Sequence, residues 1–155
     1  MKSTFGNWYE KKMLATEELA AETQRIKALL GEVKHIAIVG ISKNETKDSH
    51  FVGRYLKKAG YSIYPVNPSA TEILGEICYP DLKSIPVPID IVDIFRRPED
   101  VPQVVEEAFK LNPRVIWLQL GTGEHPQLKE ISESKEIQFI QKRCIKADHQ
   151  FLIRS

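Results

Sequence analysis

The sequence predicts an α/β fold: a Rossmann-like, three-layer architecture with a five-stranded parallel sheet and an extra helix at the N-terminus. Three observations predict it. Short, almost wholly apolar runs recur along the chain, as strands buried on both faces do. Between them lie stretches whose apolar residues recur every three or four positions, the period of a half-buried helix. Most runs stop at glycine or Asn-Pro, which is turn chemistry. Strands alternating with helices make right-handed crossovers, and those make the sheet parallel.

Residues 1–15 show no clear period and read as a loosely held arm, in which Trp8, Tyr9 and Met13 can pack locally or against a partner. A helix is expected from Thr16 to Leu30, with Leu19, Ile26, Leu29 and Leu30 on one face around Thr23. Thr16 suits its N-cap, Glu17 and Glu18 its first turn, and Gly31 its end. The first strand is Lys34 to Gly40. Ser49 to Ala59 follows as a helix, with Phe51, Val52, Tyr55, Leu56 and Ala59 inward and Gly60 just beyond. Tyr61 to Val66 is the second strand, stopped by Asn67-Pro68. The connection 67–88 holds four prolines and one short helical turn near Asp81 to Ser84. Ile89 to Phe95 is the third strand. Pro98 opens a helix with acids in its first turn and an apolar stripe of Val101, Val104, Val105, Ala108 and Phe109. Arg114 to Leu120 is the fourth strand, Pro126 to Lys135 a weaker helix around Leu128 and Ile131, and Ile137 to Gln141 the fifth strand. The expected strand order is 3-2-1-4-5. The expected organisation is an extension, residues 1–32, followed by one ligand-binding domain, 33–155.

Composition narrows the function. Lysine plus arginine number 22 and aspartate plus glutamate 21, a net charge of +1, which argues against a nucleic-acid or membrane-surface binder. The two cysteines, Cys78 and Cys144, form no disulfide framework. The N-terminus lacks the apolar run of a secretory signal, and no stretch has the roughly 20 apolar residues that span a bilayer, so a cytoplasmic location is expected.

Ligands of such sheets bind beyond the carboxyl ends of the strands, where the order reverses. With the order above, that lies between strands one and four. The residues to watch follow the strands: Gly40-Ile41-Ser42, Asn67-Pro68, Phe95-Arg96-Arg97 and Gln119-Leu120-Gly121. A glycine at 40 permits a tight turn and close approach of a ligand. The helix beginning near Ser49 offers amide donors to a phosphate, with Lys43 and Lys47 nearby; the plainer reading is a simple strand-to-helix turn. The dinucleotide fingerprint fails: Gly40-Ile-Ser-Lys-Asn-Glu has no second or third glycine in register, and the second strand ends without an acid. Arg96 and Arg97 read either as ligand contacts or as ion-pair partners of Glu99 and Asp100. Asp93, inside an apolar strand, is expected either at the strand's end or bonded to the backbone or a basic group. None of His35, His50, His125 and His149 is paired with a nucleophile or spaced for a metal, so no catalytic residue and no metal ligand is assigned.

The ordered set of motifs is more specific than any one of them. Val39-Gly40-Ile41-Ser42, Tyr64-Pro65-Val66-Asn67-Pro68, Asp90 through Val101 with Phe95-Arg96-Arg97, Trp117-Leu-Gln119-Leu-Gly121 and Arg143-Cys144 through His149 occur in sequence. Over residues 33–150 the chain resembles the small stand-alone CoA-binding proteins. More distantly, it is similar to the CoA-binding N-terminal domain of the succinyl-CoA synthetase alpha subunit. The resemblance implies coenzyme A or an acyl-CoA as ligand. Gly40, Ile41, Ser42, Lys43, Ser49 and His50 would surround the phosphates, and Val66, Asn67 and Pro68 would border the adenosine. Phe95, Arg96 and Arg97 would close the crevice; Gln119, Leu120 and Gly121 would lie near the pantetheine. Family members often carry a cation after Asn-Pro, suited to the 3′-phosphate; here Ser69 stands there, so another cation must serve. In the synthetase the phosphorylated histidine lies in a second domain and a partner subunit binds the nucleoside triphosphate. The expectation is therefore a CoA-binding module without complete ligase chemistry, alone, as a homodimer or with a partner subunit. The alternatives are a small oxidoreductase, a partner-dependent subunit of an acyl-CoA enzyme, and an NAD(P)-type regulatory module.

Overall fold

A computed structural model describes residues 4–154. In chain order the elements are α1 (Thr4–Glu32), β1 (His35–Val39), α2 (Asp48–Lys58), β2 (Ser62–Val66), β3 (Glu72–Ile73) and β4 (Glu76–Ile77). After a 3-10 turn, Leu82–Ser84, come β5 (Ile91–Ile94), a second 3-10 turn, Pro98–Asp100, and α3 (Val101–Phe109). The chain closes with β6 (Val115–Leu118), α4 (Pro126–Ser134), β7 (Gln138–Ile140) and α5 (Ile145–Leu152). Val33–Ala147 form one compact unit, and the described parts of 1–32 and 148–155 form another.

The α/β class and the five-stranded, all-parallel sheet are as expected, but the strand order is not. The sheet runs β2-β1-β5-β6-β7. Among the five expected strands this is 2-1-3-4-5, not 3-2-1-4-5. The physical reason lies in the two strands concerned. All four residues of β5 are buried, and the strand pairs on both sides, with β1 and β6. β2 contains Pro65, which has no N–H to give a second neighbour, so it belongs at an edge. That edge is partly covered: Tyr79 donates its N–H to the Pro65 carbonyl at 2.9 Å, and the Tyr79 carbonyl accepts from Asn67 N–H at 2.9 Å. The order therefore reverses between β1 and β5.

Alternate residues of the strands face opposite sides. Ala37, Val39, Val92, Ile94, Ile116 and Leu118 join Val101, Val105 and Ala108 of α3 in one apolar core. Trp117, Ile36, Ile38 and Ile91 are as completely buried.

Four local expectations need correction. Residues from Thr4 to Ala15 are helical, not an arm: Glu10-Lys-Lys-Met-Leu-Ala15 is a run of strong helix formers. Thr16 is then no cap; its hydroxyl donates to the Lys12 carbonyl at 2.9 Å. Trp8 and Met13 are exposed, while the Tyr9 side chain and residues 1–3 lie outside the described residues. Leu19, Phe51, Ala59 and Ile131, expected inward, are exposed. The β3–β4 hairpin and α5 were not expected at all. α5 starts where the Gln119 Oε1 accepts the Ile145 N–H at 2.9 Å, a cap 26 residues away that no local pattern announces.

Candidate functional site

Gly40 turns the chain out of β1 with φ +86°, and a Cβ there would fall on the Phe95 carbonyl oxygen. The close approach that requires glycine is therefore between two backbone segments. Phe95 N–H donates to the Val39 carbonyl at 2.8 Å and Gly40 N–H to the Val66 carbonyl at 3.0 Å, so the ends of β5, β1 and β2 lie side by side.

The loop beyond Gly40 is fixed by side chains that sequence reading had assigned to ligand. Ser49 Oγ accepts from Ser42 N–H at 2.9 Å, and His50 Nδ1 lies 2.8 Å from the Ser42 carbonyl. A carbonyl only accepts, so this ring nitrogen carries the hydrogen. Asn67 Nδ2 donates to the Ile41 carbonyl at 2.9 Å, and Asn67 Oδ1 accepts from Ser69 N–H at 2.8 Å. Ser49, His50 and Ile41 are buried, and Lys43 is exposed on the loop. α2 then begins with no side-chain cap at Lys47, leaving its first amides to meet an anion.

Two clefts meet at Arg96, whose Cδ would lie 3.5 Å from a Cβ on Gly40. One, of about 270 Å³, is lined by Val39, Val66, Pro68, Leu82, Arg96 and Gln103 among others; the second, about 550 Å³, by Phe95, Arg96, Arg97, Pro98, Leu120 and Gly121 among others. Arg96 lines both. It is half-buried, and no ion pair joins it to another described residue. Arg97 is engaged: its Nε lies 2.9 Å from Asp100 Oδ2 and 3.5 Å from Glu99 Oε1. The hydrogen bond and charge of Asp100, then the charge of Glu99, raise its pKa. Leu120, 64% exposed, presents an unusually open apolar side chain at the larger cleft. Gln119 is buried and its amide oxygen is taken by the start of α5.

Sequence reading missed the outer wall of the smaller cleft: Pro80, Asp81, Leu82, Gln103 and Glu107. Asp81 was placed only as part of a turn, where its Oδ1 does accept from Ser84 N–H at 3.0 Å. Gln103 and Glu107 share the outer side of α3 at helical spacing, a pattern that ordinarily marks only a solvated face.

Asp93 contradicts its expectation. It is central in β5, opposite Ile38 and Trp117, 0% exposed, and neither carboxyl oxygen has a hydrogen-bond partner among the described residues. Burial alone pushes its carboxyl well above the usual carboxylate range. It lines neither cleft. His125 is structural: its N–H donates to Gln141 Oε1 at 2.9 Å, and its Nε2 sits 2.9 Å from the Thr122 carbonyl. Among the described residues no cluster of metal-ligating side chains occurs, and no helix is long and apolar enough to cross a membrane.

Uncapped amides, and a half-buried guanidinium that no described carboxylate pairs, set between clefts that each mix apolar and polar walls, suit a ligand with an anionic centre and less polar ends; Asp81, Asp100 and Glu107 also line the smaller cleft. Comparison with known proteins gives the chain a family. The family model described as a CoA binding domain matches residues 34–150. The uncharacterized protein YneT of Bacillus subtilis (strain 168) is 40% identical over 124 residues, 80% of this chain and 91% of that protein. An ADP-forming acetate–CoA ligase of Methanocaldococcus jannaschii is 31% identical over 119 residues; the match spans 72% of this chain but only 17% of the ligase. Among solved structures, a hypothetical protein from Pyrococcus horikoshii OT3 superimposes with a TM-score of 0.80 at 34% identity, covering 84% of this chain and 92% of that one.

Proposed function

The chain belongs to the CoA-binding domain family, and from that premise we propose that it binds coenzyme A or an acyl-CoA at the carboxyl ends of β1, β2, β5 and β6. The observation that carries the reading is the meeting of two clefts at Arg96, whose Cδ would lie 3.5 Å from a Cβ on Gly40. The adenosine occupies the smaller cleft, bordered by Val66 and Pro68, and the pantetheine runs along the larger one past Phe95 and Leu120. The diphosphate lies between them, at the loop 40–43 and the α2 amides. Arg96, which shares the smaller cleft with Pro68, takes the 3′-phosphate and supplies the cation that Ser69 does not. Ser49, His50, Asn67 and Gln119 act through the backbone that they fix. The reading concerns binding alone: the acetate–CoA ligase activity is that of a relative of which this chain spans 17%. Two unpaired cysteines accord with a reducing, cytoplasmic setting.

Titration calorimetry with CoA, acetyl-CoA, NADH and ATP tests the reading. CoA or acetyl-CoA is expected to bind most tightly. Arg96→Gln should weaken CoA roughly 10- to 100-fold, the worth of one charge-assisted hydrogen bond, and Arg97→Gln should change it little. NADH binding more tightly than CoA would refute the proposal.

A further inference from the structure

α1 carries a heptad seam that is only half used: Trp8, Ala15, Leu19, Ile26 and Leu29 on it are apolar, Lys12 and Glu22 charged. Lys12, Ala15, Leu19, Glu22, Ile26 and Leu29 recur at alternating spacings of three and four, with Trp8 one step earlier. That is the spacing of a coiled-coil seam. At its C-terminal end the seam is closed: Ile26 is 0% and Leu29 1% exposed. Toward the N-terminus the same line of residues opens, and Leu19 is 59% exposed. The seam lies wholly outside the residues that match the family model, 34–150, so the ligand crevice gives no reason for it.

Charge says what would cover it. Lys11 and Glu18 flank the same edge of the seam, seven residues apart. In a two-fold antiparallel pair, equivalent flanks face each other. Lys11 of one copy then falls opposite Glu18 of the other, and the reverse, giving two symmetric attractions. The same register sets Trp8 beside Leu19 of the other copy. It also sets Lys12, whose Nζ stands 4.7 Å from the centroid of the Trp8 ring on its own helix, beside Ala15, whose small side chain leaves room for the lysine stem. In a parallel pair, Lys11 and Glu18 would instead face Thr16 and Thr23, and the complementarity is lost. Met13 and Leu14 lie on the outer side of the helix in either arrangement.

We propose that α1 pairs antiparallel with α1 of a second copy of this chain, through the seam from Trp8 to Glu22, locked by reciprocal Lys11–Glu18 pairs.

Sedimentation equilibrium on the full chain tests this. The wild type should be a reversible dimer. Lys11→Glu turns both attractions into repulsions and should raise the dissociation constant roughly tenfold, while the double variant Lys11→Glu with Glu18→Lys restores it. Leu19→Asp buries a charge in the seam and should weaken the dimer by at least about a hundredfold, with CoA binding and helicity unchanged. Three results would overturn the proposal: a wild type that stays monomeric to its solubility limit, a dimer indifferent to Leu19→Asp, or a charge-swapped double variant no tighter than Lys11→Glu. The two charge variants change only exposed positions, so a failure to fold does not confuse the answer.

Discussion

Asp93 holds its carboxyl group between Ile38 and Trp117 with no hydrogen-bond partner among the described residues, and burial keeps it protonated. In the unfolded chain the group titrates near 3.8. The folded state therefore binds the extra proton above that pH, and stability falls as pH rises, by up to about 1.4 kcal/mol per unit, until the folded pKa is passed. Asp93→Asn keeps the shape and removes the loss. The variant should gain stability over the wild type progressively from pH 4 to 7 in urea unfolding; a difference that stays constant with pH would refute the assignment. His149, lowered by burial and by Arg154, works in the opposite direction, but equally in both proteins, so it cancels. The sequence marked Asp93 as anomalous but could not show that its surroundings offer no partner, because those come from β1 and β6. Gly40 was marked for a ligand's sake, yet its neighbour is the Phe95 carbonyl. Gly40→Ala should therefore cost at least about 2 kcal/mol in chemical denaturation, with or without CoA, since both a positive φ and a backbone clash oppose it. Unchanged stability would mean that the turn relaxes.

α2 is drawn tightly onto its surroundings by Gly53, where a Cβ would lie 2.6 Å from Ile41 Cδ1 and 3.1 Å from Leu74 Cδ1. Gly53→Val should lower stability by about 2 kcal/mol, because overpacking adds to the poor helix propensity of a branched residue. Gly53→Ala should cost less, since alanine regains about 1 kcal/mol of helix propensity over glycine. Thermal unfolding of both separates packing from propensity; equal losses would refute the contact. Elements whose cues are local were legible at this scale. The apolar runs at Ile36, Ile91 and Val115 placed three strands within a residue or two; Pro126 placed a helix start, and Pro98 the 3-10 turn that leads into α3. Elements whose cues are distant were not legible: α5 begins on the Gln119 side chain, and β3 and β4 are two residues each, too short for a period.

The strand order decides which chain ends share the site. In the order 3-2-1-4-5, Phe95 and Arg96 would stand beyond β2, two strands from Gly40. In the observed order β5 adjoins β1, and Arg96 reaches the cleft that Val39, Val66 and Pro68 also line. Pro65 held the clue, since it places the second strand at an edge. With a net charge of only +1, the molecule as a whole draws an anion weakly, so local groups must do it: Arg96 and the α2 amides. A thermal-shift comparison of CoA with 3′-dephospho-CoA isolates the guanidinium. At a hundredfold excess over its dissociation constant, CoA stabilises by about 2.7 kcal/mol, which raises Tm by roughly 5–10 °C in a chain of this size. At the same concentration, 3′-dephospho-CoA should give a clearly smaller rise in the wild type, because the Arg96 contact is missing. In Arg96→Gln the two ligands should give the same, reduced rise, since the residue and the phosphate form one interaction and removing either removes it. An equal response of the wild type to both ligands would move Arg96 off the 3′-phosphate. A difference that persists in Arg96→Gln would assign that phosphate to another cation, such as Lys43 or Lys47 on the loop that follows Gly40.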